Sequence, residues 1–151
     1  MRQFKTVDEA YDMCVAEGVI IPIHDVDYAI LKASMHIVEE DLLNAQDAIT
    51  KKRWNSAYKT YYDVLHQLAE AYLKLESIKI KTHLCLFAYL CVKHPELELN
   101  WNFFEKVRTK RNGIHYYAHP VTEEDWKDAA LEFKLYINLF RRKLEEKIKK
   151  E

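Results

Sequence analysis

One stripe constrains this chain more than any other feature. Between Trp54 and Leu75 the large side chains fall at Trp54, Tyr58, Tyr61, Leu65, Leu68, Tyr72 and Leu75, alternating by four and three. That spacing keeps the bulky groups on one side of an α-helix through three heptads and does not fit the period of two of a strand. A helix with so heavy a face must bury it against other helices. The rest of the chain agrees, because 151 residues contain only two glycines and three prolines. So few turn formers argue for a few long helices rather than many short strands. With 49% hydrophobic and 31% charged residues the chain reads as one globular domain with a sizeable core.

The remaining elements follow in order. Thr6 with Glu9 forms a capping-box pattern for a short helix to about Glu17, which Gly18 can stop. VIIPI is a brief apolar connector, and Pro22 argues against a central strand. Asp25 or Asp27 caps a second helix whose apolar face reads Val26, Ile30, Ala33, Ile37, Ala45, Ala48 and Ile49. The run Glu39, Glu40, Asp41 reads as solvated surface of that helix, since consecutive residues point apart. The striped helix starts near Asn55 or Ser56, and His66, off the stripe, is assigned to the surface. A fourth segment from about Ile80 to Lys93 turns Leu84, Phe87, Ala88 and Cys91 inward, and Pro95 ends it. Asn100 caps a fifth helix that breaks at His119-Pro120. Thr122 with Asp125 starts the last helix, whose apolar positions from Trp126 to Ile148 keep the helical period. Nothing in the pattern asks for a sheet. The expected architecture is all-α: an up-and-down four-helix bundle over residues 25–151, preceded by a helix and connector over 1–24. Trp54, Tyr61, Leu65, Leu68, Phe133, Ile137 and Phe140 are its expected core.

Charge and cysteines narrow the function classes. A formal net charge of -1 excludes a generic polyanion binder, so any nucleic-acid contact must come from a local patch. Cys14, Cys85 and Cys91, an odd number without a CxxC pair, read as reduced thiols. No apolar run is long enough for a membrane span, and the first residues lack the apolar core of a signal peptide. These features together suggest a soluble cytoplasmic protein. His83 and His94 have no His, Cys or acid at a metal-ligand spacing, so no metal and no cofactor is expected.

The chemistry concentrates in the fifth helix, at VRTKRNGIHYYAH. Arg108, Arg111 and His115 are separated by three, four and seven positions, which stacks them along one face. Phe104 and Val107 precede them on nearly the same stripe, where cations need a partner, water or an anionic ligand. Gly113 among them suggests close approach by another backbone or a ligand. The ordinary alternative is a salt-bridged helix with one solvated basic edge. In that case removing Arg111 would orphan a buried acid, at a cost of about 3–5 kcal/mol.

At RNGIHYYAHPVTEEDW the sequence resembles the HEPN superfamily, the small helical domains named for higher eukaryotes and prokaryotes nucleotide-binding. The resemblance rests on Arg111-Asn112 followed by His115-Tyr116-Tyr117, on the HPVT turn with its long final helix, and on the Tyr- and Ala-rich pair KTYYDVLHQLAEAYLKL and THLCLFAYL. It covers roughly residues 25–150. It implies a homodimer whose motif helices face each other. In many members it implies a metal-independent endoribonuclease, in which the RNA 2′-hydroxyl attacks the adjacent phosphate. Arg and His from both subunits then share charge stabilisation and proton transfer. Other members are non-catalytic modules binding a nucleotide or a partner, and some pair with a minimal nucleotidyltransferase antitoxin.

Carried over residue by residue, the resemblance makes Arg111, His115 and Arg108 the catalytic candidates and Asn112 and Tyr116 the substrate-binding ones. Six residues separate Arg108 from His115, which fits the family spacing, whereas Arg111, the arginine followed by Asn, is separated from His115 by three. Around a helix Arg108 and His115 differ by roughly 20°, Arg111 and His115 by roughly 40°, and Arg111 and Tyr116 by roughly 140°. Both Arg–His pairings are therefore feasible on a regular helix, and the Arg–Tyr pairing is not. All three cations are expected in one cleft, flanked by Asn112 and Tyr116.

Overall fold

The computed structural model describes residues 6–149. The chain forms an all-α bundle: α1 (Val7–Ala16), α2 (Tyr28–Thr50), α3 (Trp54–Leu75), α4 (His83–Lys93), α5 (Trp101–Tyr117) and α6 (Glu123–Lys149). The expected starts are largely where the side chains put them. Thr6 accepts from the Glu9 N–H, Asp27 from Ile30, Thr82 from Cys85, and Asn100 from Asn102 and Phe103. At α6 the Thr122 hydroxyl accepts from the Asp125 N–H while the Asp125 carboxylate accepts from the Thr122 N–H. Each such cap satisfies donors that a helix start cannot pair internally.

The striped helix α3 lies at the centre, packed on α2 and α6 and touching α4 and α5. Its stripe is buried as expected from Tyr58 to Tyr72, while Trp54 and Leu75 at the two ends are half-buried. Phe133 of α6 is fully enclosed, with ring centroids of Tyr58, Tyr61, Phe103 and Trp126 at 5.3–5.9 Å. Phe104 of α5 stacks on Phe87 of α4 at 4.4 Å. These ring contacts set the rotation of α5 and hence the direction in which its arginines leave the core.

Three expectations are corrected. The face of α2 is Leu31, Val38, Leu42, Ala45 and Ala48, and Ile30 and Ile37 are exposed. The sequence carries the doublets Ile30-Leu31 and Ile37-Val38, and neighbours about 100° apart offer two competing faces. Second, a small antiparallel ribbon exists: β1 (Ile20–Pro22) pairs with β2 (Ile78–Ile80), Pro22 opposite Ile78. It ties the connector after α1 to the link between α3 and α4. Pro22 sits at the end of this two-stranded ribbon, where its missing N–H does least harm.

Third, Cys14 and Cys85 form a disulfide across 71 residues, leaving Cys91 as the free thiol. An odd count hid a pair that only the packing of α1 on α4 brings together, so the reading of all three cysteines as reduced thiols is corrected. Among the described residues no helix is long and apolar enough to cross a membrane.

Candidate functional site

The last three turns of α5 and the start of α4 enclose a cleft of about 240 Å³. α5 contributes Arg108, Arg111, Asn112 and Tyr116, and the start of α4 contributes its cap Thr82 with His83 and Leu84. The two arginines are placed by their neighbours one turn earlier: Phe104 and Val107 are fully buried, so the positions following them emerge at the rim of the core. At the α4 end, the first N–H groups of the helix lack intrahelical carbonyls and carry the positive end of its dipole. Such an end is suited to an anion, and two guanidinium groups stand beside it.

Each arginine is already engaged. Arg108 grips Glu105 through two bonds of 3.1 and 2.9 Å, and its side chain is 11% exposed. Arg111 lies 3.3 Å from the Asp63 carboxylate and sits over the Tyr62 ring at 5.9 Å. Its Nε is buried without a hydrogen-bond partner, which leaves donor capacity on this guanidinium. Asp63 is 40% exposed, so water can take over its carboxylate when an anion claims Arg111.

Behind the arginines stand groups that the sequence reading assigned elsewhere. His66, expected at the surface, is largely enclosed and stacks on His83 with ring centroids 3.7 Å apart. The Tyr62 hydroxyl, at the end of a fully buried ring, is 2.9 Å from His83 Nδ1. Burial, with help from His83 and Arg111, pushes the His66 pKa down to about 3. Burial and then the Arg111 charge lower that of His83, against the pull of Asp63 and Glu70. Burial raises the Tyr62 pKa far above the ordinary phenol range, so this hydroxyl keeps its proton. The signal for these residues was present but weak: Tyr62 and His66 are four apart on α3, one position off the main stripe, and His83 follows a threonine cap.

His115 is the member of the expected triad that the cleft does not include. The whole segment 115–120 is exposed, and the His115 ring meets Tyr116 edge-on at 4.7 Å. Its angular position is near that of the arginines, but in this last turn of α5 it is Tyr116, and not His115, that lines the cleft. Tyr116 lines the cleft from its outer edge and is 67% exposed. Gly113 is approached by the chain itself: a Cβ there would meet His119 at 3.6 Å, an ordinary contact. The His119 N–H donates to the Gly113 carbonyl, and Ala118 in a left-handed conformation ends the helix.

The cleft thus combines permanent cations, a helix start and an imidazole held neutral at physiological pH. It can seat a phosphate group and accept a proton beside it. Among the described residues no group of three or more His, Cys, Asp or Glu side chains is placed to hold a metal ion. Comparison with protein-family models, with curated proteins and with solved structures found no match.

Proposed function

We propose that this chain is a HEPN-like domain that acts on RNA, cleaving it as a metal-independent endoribonuclease at the Arg108/Arg111 cleft. The observation that carries the reading is the convergence of both guanidiniums with Asn112 and the start of α4 on one cavity. Arg111 grips the scissile phosphate and Arg108 is a second clamp, because guanidinium forks match phosphate oxygens bidentately. Asn112 and Tyr116 flank the bound nucleotide. The exposed turn carrying His115, Tyr116 and Tyr117 is where the corresponding turn of a second copy packs, in a homodimer that brings His115 to the cleft.

A second reading is supported by the position of His115 outside the cleft: a non-catalytic module that binds a nucleotide, RNA or a partner such as a minimal nucleotidyltransferase antitoxin. The two readings separate in one experiment. Purified protein is incubated with total RNA in EDTA. Cleavage leaving 2′,3′-cyclic phosphate ends, abolished by Arg111→Ala, supports the enzyme. Intact RNA from mildly acidic to mildly basic pH, with retained binding of a labelled RNA, supports the module.

A further inference from the structure

The cleft holds an imidazole that the α5 motif does not supply. We propose that His83, presented at the first position of α4 and anchored by the Tyr62 hydroxyl, is the catalytic residue that accepts the proton of the RNA 2′-hydroxyl. The proposal rests on the ribonuclease reading of the same cleft.

Three observations support it. His83 lines the cavity that Arg108 and Arg111 line, so a phosphate held by the arginines lies within reach of its ring. Its Nδ1 is committed to Tyr62, 2.9 Å away, which leaves Nε2 as the nitrogen free for a substrate. The stacked His66 ring, at 3.7 Å, fixes the plane of the imidazole. The groups facing His83 are Tyr62, Asp63, His66 and Glu70 from α3 and Arg108 and Arg111 from α5. Burial first, and then the charges of Arg111 and Arg108, favour the neutral, proton-accepting ring, against Asp63 and Glu70. A bound phosphate screens those same cations, so His83 becomes a better base when substrate arrives.

The step balances as follows. With Nδ1–H donating to the Tyr62 oxygen, the lone pair on Nε2 takes the 2′-hydroxyl proton. The 2′-oxygen forms a bond to phosphorus, and the bond from phosphorus to the 5′-oxygen breaks. The departing 5′-oxygen takes a proton from solvent water, and His83 returns the proton it accepted to solvent.

The test is the cleavage rate of a short single-stranded oligoribonucleotide in EDTA as a function of pH. For wild type we expect a rate that is flat near neutrality and falls only below the ordinary imidazole range. His83→Gln should lower the plateau by about 100-fold or more and remove the acid limb. Tyr62→Phe keeps the ring, and should move the acid limb to lower pH because imidazolium loses its acceptor. Circular dichroism melting checks that both variants fold. If His83→Gln cleaves within threefold of wild type with the same acid limb, or if His115→Ala alone removes that limb, the assignment is wrong while the ribonuclease reading stands. If wild type cleaves nothing, the reading itself fails and the assignment goes with it.

Discussion

Replacing Arg111 by alanine separates a binding arginine from a structural one, and the magnitudes can be worked out term by term. The ion pair with Asp63 spans 3.3 Å and its acid is 40% exposed. A pair this wet is worth about 0–1 kcal/mol. The cation over Tyr62, at 5.9 Å, is near the outer limit of such contacts and adds about 0.5–1 kcal/mol. Against both, the substitution removes a buried Nε that has no partner, an arrangement that costs the native state about 1–3 kcal/mol. Terms of opposite sign and similar size leave a net change within about 1 kcal/mol, or a melting shift of no more than about 4 °C for a domain of this length. The orphaned buried acid envisaged from the sequence does not arise, because Asp63 is half-exposed.

Phosphate binding has no such compensation. Losing a charge-assisted hydrogen bond costs about 1.5–3 kcal/mol, which is about 10- to 150-fold in affinity. Circular dichroism melting and the fluorescence anisotropy of a labelled single-stranded RNA read the two quantities on the same sample. The affinity gap should narrow as salt is raised. A stability loss of about 3 kcal/mol or more with unchanged RNA binding would refute the reasoning and make Arg111 a structural residue.

The enclosed ring of Phe133 should cost about 3–5 kcal/mol when truncated to alanine, against a smaller loss for half-buried Trp54, both readable by chemical denaturation. Reducing the Cys14–Cys85 bond frees a loop of 71 residues and should lower stability by about 4 kcal/mol, measured as the melting temperature with and without reductant. A Cys14→Ser, Cys85→Ser double variant should match the reduced protein and ignore reductant. Burial, with His83 and Arg111 beside it, lowers the His66 pKa from its ordinary value of 6.5 in the unfolded chain to about 3 in the folded one. Between those values the unfolded chain binds the extra proton, so stability is lost as pH falls through the window. His66→Phe should flatten that slope by up to about 1.4 kcal/mol per pH unit in denaturation curves taken across the range. An unchanged slope would mean that His66 is solvated in the folded protein.

Much of this molecule is written in local pattern. The α3 stripe, the long period of α6 and the caps at Thr6, Asn100 and Thr122 depend on residues within four positions of one another. Sequence alone therefore determines that these helices exist and where most of them begin. It also determines that Arg108 and Arg111 share a helix face. Tertiary structure decided the rest. The α2 face turned on whether Leu31 and Val38 or Ile30 and Ile37 met α3, and the doublets made both rotations acceptable until a neighbour chose. The Cys14–Cys85 bond depended on α1 lying against α4. The stacking of His66 on His83, and the exclusion of His115, depended on where the start of α4 meets the side of α5. Helix periodicity reports which side chains share a face, but not which distant face is brought against it. A cleft built between two helices and backed by a third is therefore defined only when they pack.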